Sequence, residues 1–139
     1  MTLSIRNQLP GSVTEIHPGE VMAIVKVRLD GGQELTAAIT LEAAEQLGLA
    51  PGTAVRALVK STEVSLSTSG IEGLSIRNQL PGAITRLTRG EVMASVKVSV
   101  AGGELTAVIT RDAAEDLGLF VGSDVVALIK ATEVSLGTA

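Results

Sequence analysis

Apolar and polar positions alternate along Val21, Ala23, Val25, Val27 and Leu29 against Met22, Ile24, Lys26 and Arg28, the period of a half-buried β-strand. Asp30-Gly31-Gly32 then supplies turn chemistry, and Glu34–Ile39 returns as the second arm of a hairpin. The spacing changes to helical in TLEAAEQLGL. Thr40 is a suitable N-cap, Glu42 falls in the first turn, and Gly48 follows the last helical Leu. Pro51-Gly52 turns the chain into a strand over Ala54–Lys60, and Thr62–Leu66 is expected to close the same unit with a further strand. Ahead of these, SIRNQLPG at residues 4–11 reads as a strand followed by a turn at Pro10-Gly11. Five strands with one short helix after the third predict a mainly β fold, a small OB-like Greek-key barrel.

The pattern occurs twice. Ser4–Gly32 aligns with Ser75–Gly103, and after Gln33 is skipped Glu34–Leu66 aligns with Glu104–Leu136, with 41 of 62 aligned positions identical. SIRNQLPG itself recurs unchanged at residues 75–82. The period is too long for a solenoid repeat and marks a duplicated domain. The expected organisation is a first domain at 1–66, a Ser/Gly-rich linker at 67–73 and a second domain at 74–139. A linker of that length and composition keeps the two domains close.

Composition narrows the function classes. The 139 residues carry a net charge of −4 and a pI near 5.0, which argues against a surface built to neutralise nucleic-acid phosphates. There is no cysteine, hence no disulfide framework, thiolate nucleophile or thiolate metal site. No apolar run approaches the roughly 20 residues that span a bilayer, and the N-terminus lacks the form of a secretory signal. A cytoplasmic protein that does not engage membranes is the expectation.

A unit of this size buries only about 60% of its unfolded surface, and one Phe with no Trp or Tyr gives no aromatic cluster to compensate. Met22 and Ile24 are apolar on the face opposite the core row. Surplus apolar surface on a small unit marks an interface, so contact between the repeats and a homo-oligomer are both expected.

Candidate chemistry lies in SIRNQLPG. If SIR is extended, Ser4 and Arg6 project to one face and Ile5 to the other, placing a hydroxyl beside a guanidinium. A surface ion pair for Arg6 with Ser4 facing water is the plain alternative. Lys60 and Lys130 end otherwise apolar strands, VRALVKS and VVALIKA. At the helix start, Ala43 and Ala113 occupy the third helical position, where a capping box would carry Glu or Gln. Their amides are accordingly expected to be uncommitted and open to an anion. One Arg and one Lys balance one dianion, and charge-assisted hydrogen bonds are the strong ones.

SIRNQLPG, the glycine turn, LTAAIT before a helix, LGLAPG and VRALVKSTEV together resemble the molybdate-binding Mop domain, over residues 3–66 and 74–136. Two such domains in tandem resemble the di-domain molbindins. The resemblance implies tandem OB-like barrels and a homotrimer whose six Mop domains hold molybdate or tungstate non-covalently at domain contacts. It implies storage and homeostasis in the cytoplasm, with no organic cofactor and no metal bound directly by side chains. Carried over by residue, it implies that Ser4, Arg6 and Asn7 of one domain face Thr40, Ala43, Lys60 and Ser61 of a neighbour. The matching set is Ser75, Arg77 and Asn78 with Thr110, Ala113, Lys130 and Ala131. Ala131 in place of Ser61 removes one hydroxyl.

Other readings are weaker. His17, replaced by Thr88 in the second copy, reads as an exposed loop residue. No His/Asp/Glu group has metal-ligand spacing, and no Ser has a usable base, so no enzyme is expected. A single-strand nucleic-acid barrel needs stacking aromatics in a positive groove, and Phe120 alone does not provide them. A sensor module, whose anion-dependent assembly controls a separate protein, is the alternative; the two copies fill the chain and leave no room in it for an effector domain or a phosphate-binding loop.

Overall fold

The computed structural model describes residues 2–69 and 71–138. The first repeat runs β1 (Asn7–Pro18), β2 (Met22–Leu29), β3 (Glu34–Thr40), α1 (Leu41–Gln46) and β4 (Ala54–Val59). A 3-10 turn, Ser61–Glu63, then leads to β5 (Ser65–Ser67). The second repeat gives β6 (Asn78–Arg89), β7 (Met93–Val100), β8 (Gly103–Thr110), α2 (Arg111–Asp116), β9 (Asp124–Ile129), the 3-10 turn Ala131–Glu133 and β10 (Ser135–Thr138). All pairings are antiparallel and form two curled, OB-like sheets of five strands.

Strand order corrects one expectation. The sheets run β10-β4-β1-β2-β3 and β5-β9-β6-β7-β8. The strand that follows Thr62 therefore does not close its own unit: Ser65–Ser67 pairs with Leu128, Ala127 and Val126 of the second repeat. In return Ser135–Thr138 pairs with Leu58 to Val55 of the first. Each sheet borrows its edge strand from the other repeat. The buried residues of both repeats accordingly form one continuous cluster, from Leu9, Val25 and Val59 to Leu80, Val96 and Ile129.

The alternation in β2 holds from Ala23 onward: Ala23, Val25, Val27 and Leu29 are buried. Val21, assigned to the core row, is instead 73% exposed, as is Val92, because β2 and β7 begin one residue later. The turn expected at Pro10-Gly11 is also absent, since both residues lie inside the 12-residue β1. The Pro10 carbonyl accepts from the Asp30 amide at 3.0 Å. The nitrogen of Pro10 faces that same side, away from β4, so its missing N–H interrupts no ladder. Gly11 is required by crowding: a Cβ there would lie 2.5 Å from the Arg28 carbonyl oxygen.

Candidate functional site

Residues 2–6, Ser4 to Arg6 included, precede β1 and carry no regular structure. Exposure still alternates as predicted, with Ser4 and Arg6 exposed and Ile5 half-buried, and Ser75, Ile76 and Arg77 alike. The β1–β4 ladder ends at Asn7 opposite Val59. Arg6 and Lys60 are therefore the next residues outward on two diverging chains. Beyond the Asn78–Ile129 pair, Arg77 and Lys130 stand in the same relation.

In the second repeat this divergence opens a cleft of about 240 Å3 lined by Ser75, Ile76, Arg77, Lys130, Ala131 and Thr132. Among the described residues, no Asp or Glu carboxylate lies within 4.0 Å of Arg6, Lys60, Arg77 or Lys130. Neighbouring cations without a counter-charge create a local positive potential that favours an anion. The first repeat differs in detail. Arg6 folds back, donating from Nε to the Ser4 carbonyl at 3.3 Å and from a terminal nitrogen to the Leu3 carbonyl at 3.2 Å. The hydroxyl of Ser61 is buried with no partner among the described residues, an arrangement that costs about 1–3 kcal/mol.

Asn7 and Asn78, which the resemblance placed among the anion ligands, have a different engagement in the single chain. Both are buried polar residues. Asn78 donates to the Thr36 carbonyl and accepts from the Thr36 amide, each at 2.8 Å, and Asn7 does the same with Thr106. Thr36 and Thr106 sit on β3 and β8, the outer strands of their sheets. Each SIRN segment therefore plugs the open edge of the other repeat's sheet, where bare amides and carbonyls would invite pairing.

The helix start corrects another expectation. The Ala43 amide is committed: it donates to Thr40 Oγ1 at 3.1 Å, and Ala113 donates to Thr110 likewise. The absence of a capping-box Glu leaves the Thr side chain free to make this bond, and does not free the amide. Thr40 lines a separate cleft with Glu20, Val21, Leu41, Glu42 and Glu45, and neither Thr40 nor Thr110 lines the cleft of Ser75, Arg77 and Lys130. His17 is exposed as expected, but it lies at the end of β1 and bonds Glu15 at 2.9 Å.

Thr132 and Ile76 line the cleft without having been singled out. The signal for Thr132 was its identity with Thr62 in KSTEV and KATEV, where the neighbouring Ser changes to Ala. A larger cleft, about 640 Å3, lies elsewhere, over Pro81–Ala83, Ser99–Ala101 and Asp124–Val126. Its one charged residue is an aspartate, which makes it unsuited to an anion. No helix of the described residues is long and apolar enough to cross a membrane.

Comparison with known proteins adds to this geometry. Residues 3–66 and 74–136 each match the TOBE domain. The chain is 42% identical over 135 residues to the molybdenum-pterin-binding protein MopB of Rhodobacter capsulatus, covering 96% of this chain and 50% of that protein. It is 40% identical over 137 residues to the molybdenum transport protein ModE of Azotobacter vinelandii, covering 98% and 51%. The chain thus spans about half the length of the curated relatives it matches. Among solved structures, the cytoplasmic molybdate-binding protein ModG with molybdate bound superposes with a TM-score of 0.96 at 41% identity, with all of both chains covered.

Proposed function

The chain belongs to the TOBE-domain family, as a tandem pair of Mop-type domains, and we propose that it binds molybdate or tungstate non-covalently in the cytoplasm, for storage and homeostasis. The reading makes it a binding protein and not an enzyme. The observation that carries it is the Arg/Lys pair of each repeat, Arg6 with Lys60 and Arg77 with Lys130, without a carboxylate neighbour among the described residues. Two positive charges match a tetrahedral dianion, and the Ser4 and Ser75 hydroxyls add directional donors. The similarity to ModG supports the choice of ion.

The anion lies at contacts between chains of a homo-oligomer, a trimer with six domains. Two features support this. Thr40 lines a cleft separate from that of Ser75, Arg77 and Lys130, which favours a second chain as the means of uniting the two groups. Val21, Met22, Val92 and Met93 also leave apolar surface uncovered. In this assembly Thr110 and Ser61 face the ion through their hydroxyls and Ala131 through its backbone, and Asn7 and Asn78 position the neighbouring Arg.

Isothermal titration with molybdate, tungstate, sulfate and phosphate tests the proposal. Heat with the first two and little with the others is expected; no heat with molybdate, or equal binding of all four, overturns it. A regulatory reading, in which anion-dependent assembly controls a separate protein, draws support from the similarity to ModE. It predicts that molybdate changes the native mass or the capture of a partner.

A further inference from the structure

We infer that Ser61 makes the anion sites of the two repeats unequal, the first-repeat set holding a tetrahedral dianion more tightly than the second through a hydroxyl that Ala131 cannot supply. The inference rests on the oxyanion reading above and assigns a rank order within it.

The repeats keep Ser, Arg, Lys and Thr at matching positions of the cluster, and the difference between them is KSTEV against KATEV. Ser61 Oγ is buried and unpartnered among the described residues. Buried polar atoms in folded proteins are nearly always paired, so an orphan calls for an explanation. The other such atom, Gln33 Oε1, belongs to a side chain anchored through its Nε2 on the Ala101 carbonyl at 2.9 Å. Ser61 has no anchor of that kind.

Its place in the chain supplies the explanation. Ser61 directly follows Lys60, which stands across the end of the ladder from Arg6, and its counterpart Ala131 lines the second-repeat cleft together with Arg77 and Lys130. The residue as a whole is only partly buried, and a change of χ1 rotamer moves Oγ without moving the backbone. An oxyanion held by Arg6 and Lys60 gives the hydroxyl its missing acceptor, in the short, strong class of bond that ionised acceptors make.

Arg6 acts in the opposite direction, because its contacts to the Leu3 and Ser4 carbonyls must open before it can turn to a ligand. Those contacts are long, exposed and local, and water replaces them readily. Satisfying a buried hydroxyl outweighs releasing them. A hydrogen bond to a charged group is worth about tenfold or more in affinity, and that sets the expected gap between the two classes.

The test is isothermal titration of the full chain with molybdate, using the parent, Ser61→Ala and Ala131→Ser, beside thermal unfolding without anion. The parent should show two classes of site. Ser61→Ala should lower only the tighter class, by about tenfold, and Ala131→Ser should raise only the weaker. Without anion, Ser61→Ala should unfold at or above the parent midpoint, because it removes an unsatisfied buried hydroxyl. One uniform class in the parent, or Ser61→Ala binding as the parent does, overturns the ranking and leaves the oxyanion reading standing. A parent that gives no heat at all overturns both.

Discussion

The side chain of Asn78 pairs with Thr36 as a strand residue would, accepting from its amide and donating to its carbonyl, both at 2.8 Å. Asn7 forms the reciprocal pair with Thr106. The two asparagines thereby finish the outer edges of both sheets and bind each repeat to the other.

Asn78→Ala should destabilise the protein by about 2–4 kcal/mol, since it removes two hydrogen bonds and strands two backbone groups at a part-buried position. Urea unfolding followed by circular dichroism would show a lower midpoint with an unchanged slope. Asn7→Ala should cost a similar amount. A midpoint equal to the parent's for either variant would mean that the clamp does not hold the repeats together.

Exchange of the edge strands leads to a second expectation. A protease site inserted within residues 70–73 and then cut should yield two fragments that remain together under native conditions. Each fragment still contributes an edge strand to the other's sheet, Ser65–Ser67 in one direction and Ser135–Thr138 in the other. Size exclusion after cleavage is the measurement. Separation into two folded halves would contradict the exchange.

Much of this was legible in the sequence. Val25, Val27 and Leu29 announce their buried face by alternation, and Thr40 and Gly48 mark the helix ends that the structure shows. The strand exchange was not legible, for a definite reason. Both repeats end in TEVSL, so either segment fits either sheet equally well. Contacts between the repeats, the meeting of the two glycine turns among them, lie outside any such local pattern. Gly31 and Ala101 pack so closely that a Cβ on Gly31 would lie 2.1 Å from the Ala101 carbonyl oxygen. Pro10-Gly11 misled for a related reason. The dipeptide suits a tight turn, but it equally suits a strand that must lack one donor and let another backbone approach. For the site, Arg6 and Lys60 could be paired by charge, but their adjacency is a matter of register. The role of Asn7 depends on a strand in the other repeat, which no local pattern reveals.

Adjacent cations also define a prediction about the ligand. Arg77→Ala should weaken molybdate binding at second-repeat sites by about 2–5 kcal/mol, the range for truncating one partner of a buried charged contact. First-repeat sites should be spared. Lys130→Ala should act on the same class of site, and the double variant should lose that class altogether. Titration calorimetry would resolve the two classes by stoichiometry. Parent-like binding by Arg77→Ala would show that the anion sits elsewhere.

Exposed valines provide the test of assembly. Val21 and Val92 are each 73% exposed, and Met22 and Met93 follow them at 42% and 40%, so both repeats present the same apolar pair at the start of equivalent strands. Water contact with these side chains is unfavourable by about 25 cal/mol per Å2 of apolar surface, and a second chain would relieve it. Val92→Glu places a charge on that surface without touching the core, because the buried row begins at Ala94. The variant should therefore keep the parent's circular dichroism spectrum while its mass by light scattering falls toward that of a single chain. If anion sites are shared between chains, its molybdate binding should fall together with the mass, although Arg77 and Lys130 are intact. A variant that stays fully assembled would remove this face from the interface, and a monomer that binds molybdate as tightly as the parent would place the site within one chain.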